Sequence, residues 1–227
     1  MKPIRSFVLR QGRITGAQRA ALNTLWHDYG VDLAHDLLDL DTLFGRSAPR
    51  VLEIGFGMGD ALAEMARAHP QQDFLGVEVH RPGVGNLLRL LNEQEIGNVR
   101  VICADAVEVL SRYLPDATLD AAHLFFPDPW PKRRHHKRRI VQPPFVALVA
   151  QKLKRGGCFH LCTDWAEYAA QMLDVLDAAP EFANAHPANR YAARGARPLS
   201  KFERRATREG REVRDMVFVC TKTPEGG

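Results

Sequence analysis

The chain has 227 residues, 45% hydrophobic and 26% charged, a balance that excludes disordered and collagen-like chains and favours one domain over two. A chain this long buries about 70% of its unfolded surface and needs no disulfide or metal to fold. Net charge is +4, yet residues 132–139 read K-R-R-H-H-K-R-R, and setting those six cations aside leaves 25 basic residues against 27 acidic. Basicity is therefore local. A second basic stretch opens the chain (Lys2, Arg5, Arg10, Arg13, Arg19), and a third runs over 190–214 with nine basic residues against Glu203, Glu209 and Glu212. Such clustering on a near-neutral background points to a polyanion, most commonly nucleic acid; the plainer reading is a solvated charged loop.

In chain order, the first 48 residues predict an arm and a helix over about 17–29, packed on the same domain as the rest. Asp28, Asp32, Asp36, Asp39 and Asp41 make an acidic patch after it. No apolar run approaches the roughly 20 residues of a membrane span, and residues 1–10 show no secretory signal. From residue 49 the pattern alternates. Strands are expected over 50–55, 73–79, 99–104, 119–126, 158–163 and 216–222, with a weaker one over 181–186. Helices are expected over 60–69, 84–95, 106–113, 145–153 and 165–178. Gly156-Gly157 reads as a helix stop and Pro180 as another. Alternation of this kind predicts an α/β fold with a parallel sheet and crossover helices. Cys103, Cys158, Cys162 and Cys220 sit in apolar runs without a C-x-x-C pair, which fits buried thiols in a reducing cytoplasm rather than disulfides or zinc.

The first strand runs into Glu53-Ile54-Gly55-Phe56-Gly57-Met58-Gly59-Asp60 and then a helix. Gly55, Gly57 and Gly59 allow a tight turn and close approach of a ligand to the backbone. The dinucleotide fingerprint G-x-G-x-x-G would need glycine where Asp60 stands, and Glu53 would sit badly beside a pyrophosphate. A donor carrying a cationic amine and sulfonium suits that carboxylate better. The pattern resembles motif I of Rossmann-like S-adenosylmethionine-dependent methyltransferases. Glu78 ends the second strand, where an acid can accept both ribose hydroxyls, a feature that a dinucleotide enzyme shares. Asp105 follows the third strand, where these methyltransferases place an acid against the adenine. It also reads as a helix N-cap, with Glu108 completing a capping-box pattern.

The fourth strand ends in Phe125-Phe126-Pro127-Asp128-Pro129-Trp130-Pro131-Lys132 and continues into the basic run. The alternating prolines are expected to stiffen the loop and push the residue before each toward extended geometry. F-P-D-P-W-x-K-x-R-H-x-K-R-R closely resembles the signature of the tRNA (guanine-N7)-methyltransferases, which modify a guanine in the tRNA variable loop. R-S-F-V-L-R-Q-G-R at 5–13, C-T-D-W at 162–165 and S-K-F-E at 200–203 resemble further family motifs. The resemblance implies a Rossmann-like fold: a mostly parallel twisted sheet with an antiparallel last strand and helices on both faces. It also implies S-adenosyl-L-methionine as cofactor and tRNA as partner. Glu53, Gly55, Gly57, Gly59, Glu78, Asp105 and Asp128 would bind the cofactor, and Asp128, where cofactor and guanine meet, would be catalytic. Lys132, Asp164, Ser200, Lys201, Phe202 and Glu203 would bind substrate, and Arg134, His135, His136, Lys137, Arg138 and Arg139 would contact RNA. One departure is Ser200, where the family usually has threonine; its hydroxyl is kept.

Plainer readings stand beside these. Ser200 and Glu203 form a capping-box pattern on a short helix, and Asp164 could cap the helix beginning at Trp165. His135 and His136 have no spaced partners for a metal, so none is expected. No membrane and no obligate protein partner are evident, and the expected location is cytoplasmic. Among rival functions, exocyclic-amine methyltransferases use Asn/Asp-Pro-Pro-aromatic at this strand end, whereas here a second adjacent proline is missing. A nicotinamide dehydrogenase and a non-catalytic tRNA-binding module are the others.

Overall fold

The computed structural model describes Ser6 and residues 12–34, 36–195 and 197–222. These residues form a seven-stranded sheet from β1 (Arg50–Ile54), β2 (Asp73–Val77), β3 (Val99–Ile102), β4 (Leu119–Phe125), β5 (Leu153–Thr163), β6 (Phe182–Asn184) and β7 (Arg214–Cys220). Strand order is β3-β2-β1-β4-β5-β7-β6. Strands β1 to β5 pair in parallel, while β7 runs antiparallel to both neighbours. This is the α/β class expected from the alternation. Order reverses between β1 and β4, so a crevice opens beyond the carboxyl ends of those two strands.

Helices α1 (Gly16–Thr24), α4 (Asp60–Ala68) and α5 (Arg81–Glu93) cover one face; α6 (Ala106–Arg112), α7 (Pro143–Lys152) and α8 (Ala166–Asp177) cover the other. The period-2 direction of side chains divides the core. Val51 joins the cluster under α4 and α5, and Leu52 and Ile54 join the opposite one. All five residues of β2 are buried, as a central parallel strand covered on both faces requires.

Three expectations need correction. The helix expected over 17–29 breaks at Leu25 into α1 and α2 (Trp26–Tyr29). The Trp26 indole donates to Asp32 Oδ1 (2.9 Å), and the turned chain lets Gly30 bridge to Val101. The acidic patch hides α3 (Leu40–Phe44), whose N-cap Asp39 accepts from the Asp41 and Thr42 amides at 3.1 Å. Gly156-Gly157 does not stop α7, which ends at Lys152 as β5 begins. Leu153 pairs with Leu119 and Cys158 with Ala121, so β5 bulges by three residues, and Gly156 takes φ +80° inside that bulge.

Candidate active site

The glycine turn after β1 has the backbone its residues allow: Gly55, Gly57 and Gly59 all lie at positive φ (+73°, +62°, +82°). It also packs closely, since a Cβ on Gly83 at the start of α5 would lie 1.9 Å from the Gly57 carbonyl oxygen. Glu78 ties the turn to β2. Its Oε2 accepts from the Gly57 amide (2.8 Å), and Oε1 accepts from the Val79 and His80 amides (2.7 and 2.9 Å). Asn86, which sequence reading missed, donates to the Met58 carbonyl (2.7 Å) from the other side.

Gly55, Gly57, Glu78, Asp105 and Asp128 line one cleft of about 230 Å³, with apolar walls from Ile54, Leu124, Phe126 and Ile140. Its mouth, bounded by Met58, Trp130, Pro131, Lys201 and Phe202, adds about 590 Å³. A larger, shallower groove between α6 and α7 shares Ser6, Asp105 and Ile140 with the cleft but holds neither the glycine turn nor Asp128. Asp105 caps α6 as well, accepting from the Val107 amide (2.9 Å), whereas Glu108 reaches forward to Arg112 instead of closing a capping box. Glu53 does not line the cleft. It is buried beneath the turn, its Oε2 without a hydrogen-bond partner, and burial with the nearby Glu78 charge pushes its carboxyl up to about 8.

The proline loop departs from expectation. Phe126 and Trp130, each preceding a proline, adopt φ +51° and +45° rather than extended geometry. Such left-handed non-glycine backbone is costly and persists only where its surroundings hold it. Those surroundings are visible. Phe126 N–H donates to the Cys162 carbonyl (2.8 Å), Arg139 Nε to the Pro129 carbonyl (2.8 Å), and the Trp130 indole to the Ser6 carbonyl (3.0 Å). Arg138 lies over the Trp130 ring at 3.9 Å.

The basic run folds as a 3₁₀ helix, Arg133–Arg138, immediately after this loop. Lys132, Arg133, Arg134 and Lys137 are exposed. His135 packs edge-on against Trp130, and His136 lies 3.1 Å from an Arg139 guanidinium nitrogen. Arg139, expected among the RNA-contacting residues, is only 2% exposed and turns inward, where it donates to Gln171 (2.6 Å) and lies over Tyr168. Its role here is to brace the loop. Of residues 5–13, the positions 5 and 7–11 lie outside the described residues.

The S-K-F-E motif opens α9 (Lys201–Arg208). Ser200 caps it by accepting from the Glu203 amide (3.1 Å). Lys201 and Phe202 reach the cleft, where Phe202, 47% exposed, stacks on Phe126 at 5.9 Å. Glu203 does not reach it. At 5% exposure it meets Arg197, itself 8% exposed, and Arg194 Nε (2.6 Å). Arg197 also grips Asp215 of β7 with two bonds (2.6 and 2.8 Å), and Asp215 takes His160 Nε2 at 2.8 Å. Asp164 caps nothing; it accepts from Arg211 Nε (2.8 Å). Lys132, Asp164, Ser200 and Glu203 thus lie outside the lining of the cleft. No local signal marked Arg197, whose partners lie 6 and 18 positions away.

Among the described residues no cluster of side chains could hold a metal, and no helix is long and apolar enough to cross a membrane.

The profile of a family described as "Putative methyltransferase" matches residues 47–216. A tRNA (guanine-N(7)-)-methyltransferase of Alkalilimnicola ehrlichii is 55% identical over 225 residues, covering 98% of this chain and 95% of that protein. One from Nitrosospira multiformis is 55% identical, covering 96% and 94%. Among solved structures, the 16S rRNA methyltransferase KamB superposes with a TM-score of 0.60 at 15% identity, over 86% of this chain and 99% of that one. At that identity the likeness speaks for the fold alone.

Proposed function

Because this chain belongs to the tRNA (guanine-N7)-methyltransferases, we infer that it transfers a methyl group to N7 of a guanine in tRNA. We assign the variable loop as the place of that guanine and S-adenosyl-L-methionine as the donor. The observation that carries this reading is the juxtaposition of Asp128, in the cleft between the glycine turn and Phe202, with the exposed cations that follow it in the chain.

The residues present fit the donor. Glu78 accepts two amides at Oε1 but only one at Oε2, which keeps a lone pair that would take a ribose hydroxyl; Asp105 would meet the adenine, and Glu53, held neutral by burial, would be drawn toward its ionised form beneath the turn by a cationic donor. Bound there, S-adenosylmethionine would supply a methyl on cationic sulfur: as the N7 lone pair took it, the sulfur–methyl bond would break with its electrons left on a neutral thioether, no proton would be lost, and the guanine ring would carry the positive charge. No general base is required. What the chain must do is align the base and stabilise the charge that develops on it. Asp128 meets both demands, as a carboxylate on a loop braced from three sides. Phe202 offers the base a stacking face, and Lys132 and its neighbours hold the backbone phosphates.

The test is incubation with unmodified tRNA and labelled donor, followed by nucleoside analysis. The expected product is 7-methylguanosine; an amine-methylated nucleoside or no product would reject the reading. Asp128→Asn keeps the shape and removes the charge, and kcat should fall about 100-fold, the scale of removing one electrostatic interaction with a transition state.

A further inference from the structure

Resting on the tRNA reading above, we propose that the outward face of α9 is a second phosphate-gripping surface, which begins at the same cleft mouth as the loop leading into the 132–137 cations. The helix has 3.6 residues per turn, so Lys201, Arg204, Arg205 and Arg208, spaced i, i+3, i+4 and i+7, fall within an arc of about 100°. All four are exposed, while Glu203 and Ala206 point into the protein. Lys201 and Phe202 bound the cleft mouth together with Trp130 and Pro131 of the proline loop. The helix therefore starts at the cleft mouth, and the 3₁₀ helix starts two residues after Pro131 of that same mouth.

A solvated face would account for exposed charge, but its composition argues for more. Lys201–Arg205 and Arg204–Arg208 are like-charge i,i+4 pairs, which destabilise a helix. Among the described residues only Arg205 of the four is ion-paired, to Glu209. The one acid inside the helix, Glu203, is spent inward on Arg194 and Arg197. What remains outside is a ridge of positive charge whose self-repulsion a polyanion would relieve. That inward bonding also fixes which face turns out, because Arg197 ties Glu203 to Asp215 on the sheet. A nucleotide entering the cleft would leave its flanking phosphates near two cationic surfaces that both begin at its mouth, which suits a folded RNA better than a single strip of charge.

The decisive measurement is the salt dependence of tRNA binding by the intact chain and by a variant carrying Arg204→Gln, Arg205→Gln and Arg208→Gln. Each phosphate no longer neutralised should flatten the slope of log affinity against log salt by about 0.7–0.9, so the triple variant should lose about 2. Its melting temperature and its affinity for S-adenosylmethionine should match the parent. The corresponding triple lysine variant should keep the parent slope within about 0.5. A glutamine variant with the parent slope and affinity would overturn the surface while leaving the methyltransferase reading intact. So would a lysine variant that loses as much as the glutamine one. A parent chain that binds no tRNA would overturn both.

Discussion

Glu53 is a carboxyl group buried with one oxygen unpartnered, and its chemistry follows from that position. Burial, and the Glu78 charge behind it, raise its pKa to about 8 from 4.5. The folded chain therefore holds a proton that the unfolded chain has released across this interval. The stability tied to that proton is fully present below about pH 4.5 and is lost as pH rises through about 8. In ligand-free protein the urea midpoint should fall over that window, and Glu53→Gln should flatten the fall. A cationic donor favours the ionised carboxylate, so its affinity, read by calorimetry, should climb with pH in the parent and not in the variant. His123 goes the other way: burial, with His160 nearby, pushes it down to about 3, so it serves as a neutral ring stacked on Phe125.

Among the elements, α9 and the proline loop are both held in place by arginines that face inward. Arg197 joins α9 to β7 through Glu203 and Asp215, and its guanidinium also lies 5.7 Å from the centre of the Phe126 ring. Arg197→Met would remove the one buried cation that Glu203 and Asp215 share, leaving Arg194 to the first and His160 to the second, which should cost about 3–5 kcal/mol of stability in urea unfolding. A loss under 1 kcal/mol would show that Glu203 and Asp215 find other partners. The proline loop shows a second effect of packing on local preference. Residues before proline favour extended geometry, yet Phe126 and Trp130 are left-handed because the Cys162 carbonyl, Arg139, Arg138 and Ser6 hold the loop around them.

For the whole molecule, the strand-order reversal at β1 and β4 decides where everything converges. It brings the turn after β1, Glu78 after β2, Asp105 after β3 and Asp128 after β4 to one edge of the sheet. Of the six cations in 132–139, four are exposed, which sets that rim's contribution to the salt slope at about −3 to −4. Arg133→Gln with Arg134→Gln should flatten the slope by about 1.4–1.8 with no change in melting temperature. An unchanged slope would show that this rim does not meet phosphate. Arg139 is the wrong residue for that experiment, because its removal would unbrace Pro129. Most strands and helices, the glycine turn, the capping roles of Asp105 and Ser200 and the special character of the Asp128 loop were legible in the chain itself. They depend on periodicity and on partners within a few positions. The break at Leu25, the bulge at Gly156 and the inward turns of Arg139, Glu203 and Asp164 were not. Most depend on a neighbour far along the chain (Val101 for Gly30, Leu119 for Leu153, Gln171 for Arg139, Arg211 for Asp164), and Glu203 depends on Arg197, which Asp215 of β7 holds in turn. Sequence alone determined which chemical groups stand at each strand end. Only the tertiary structure decided which charges face water and which are spent as braces, because burial is set by long-range packing that no local pattern encodes.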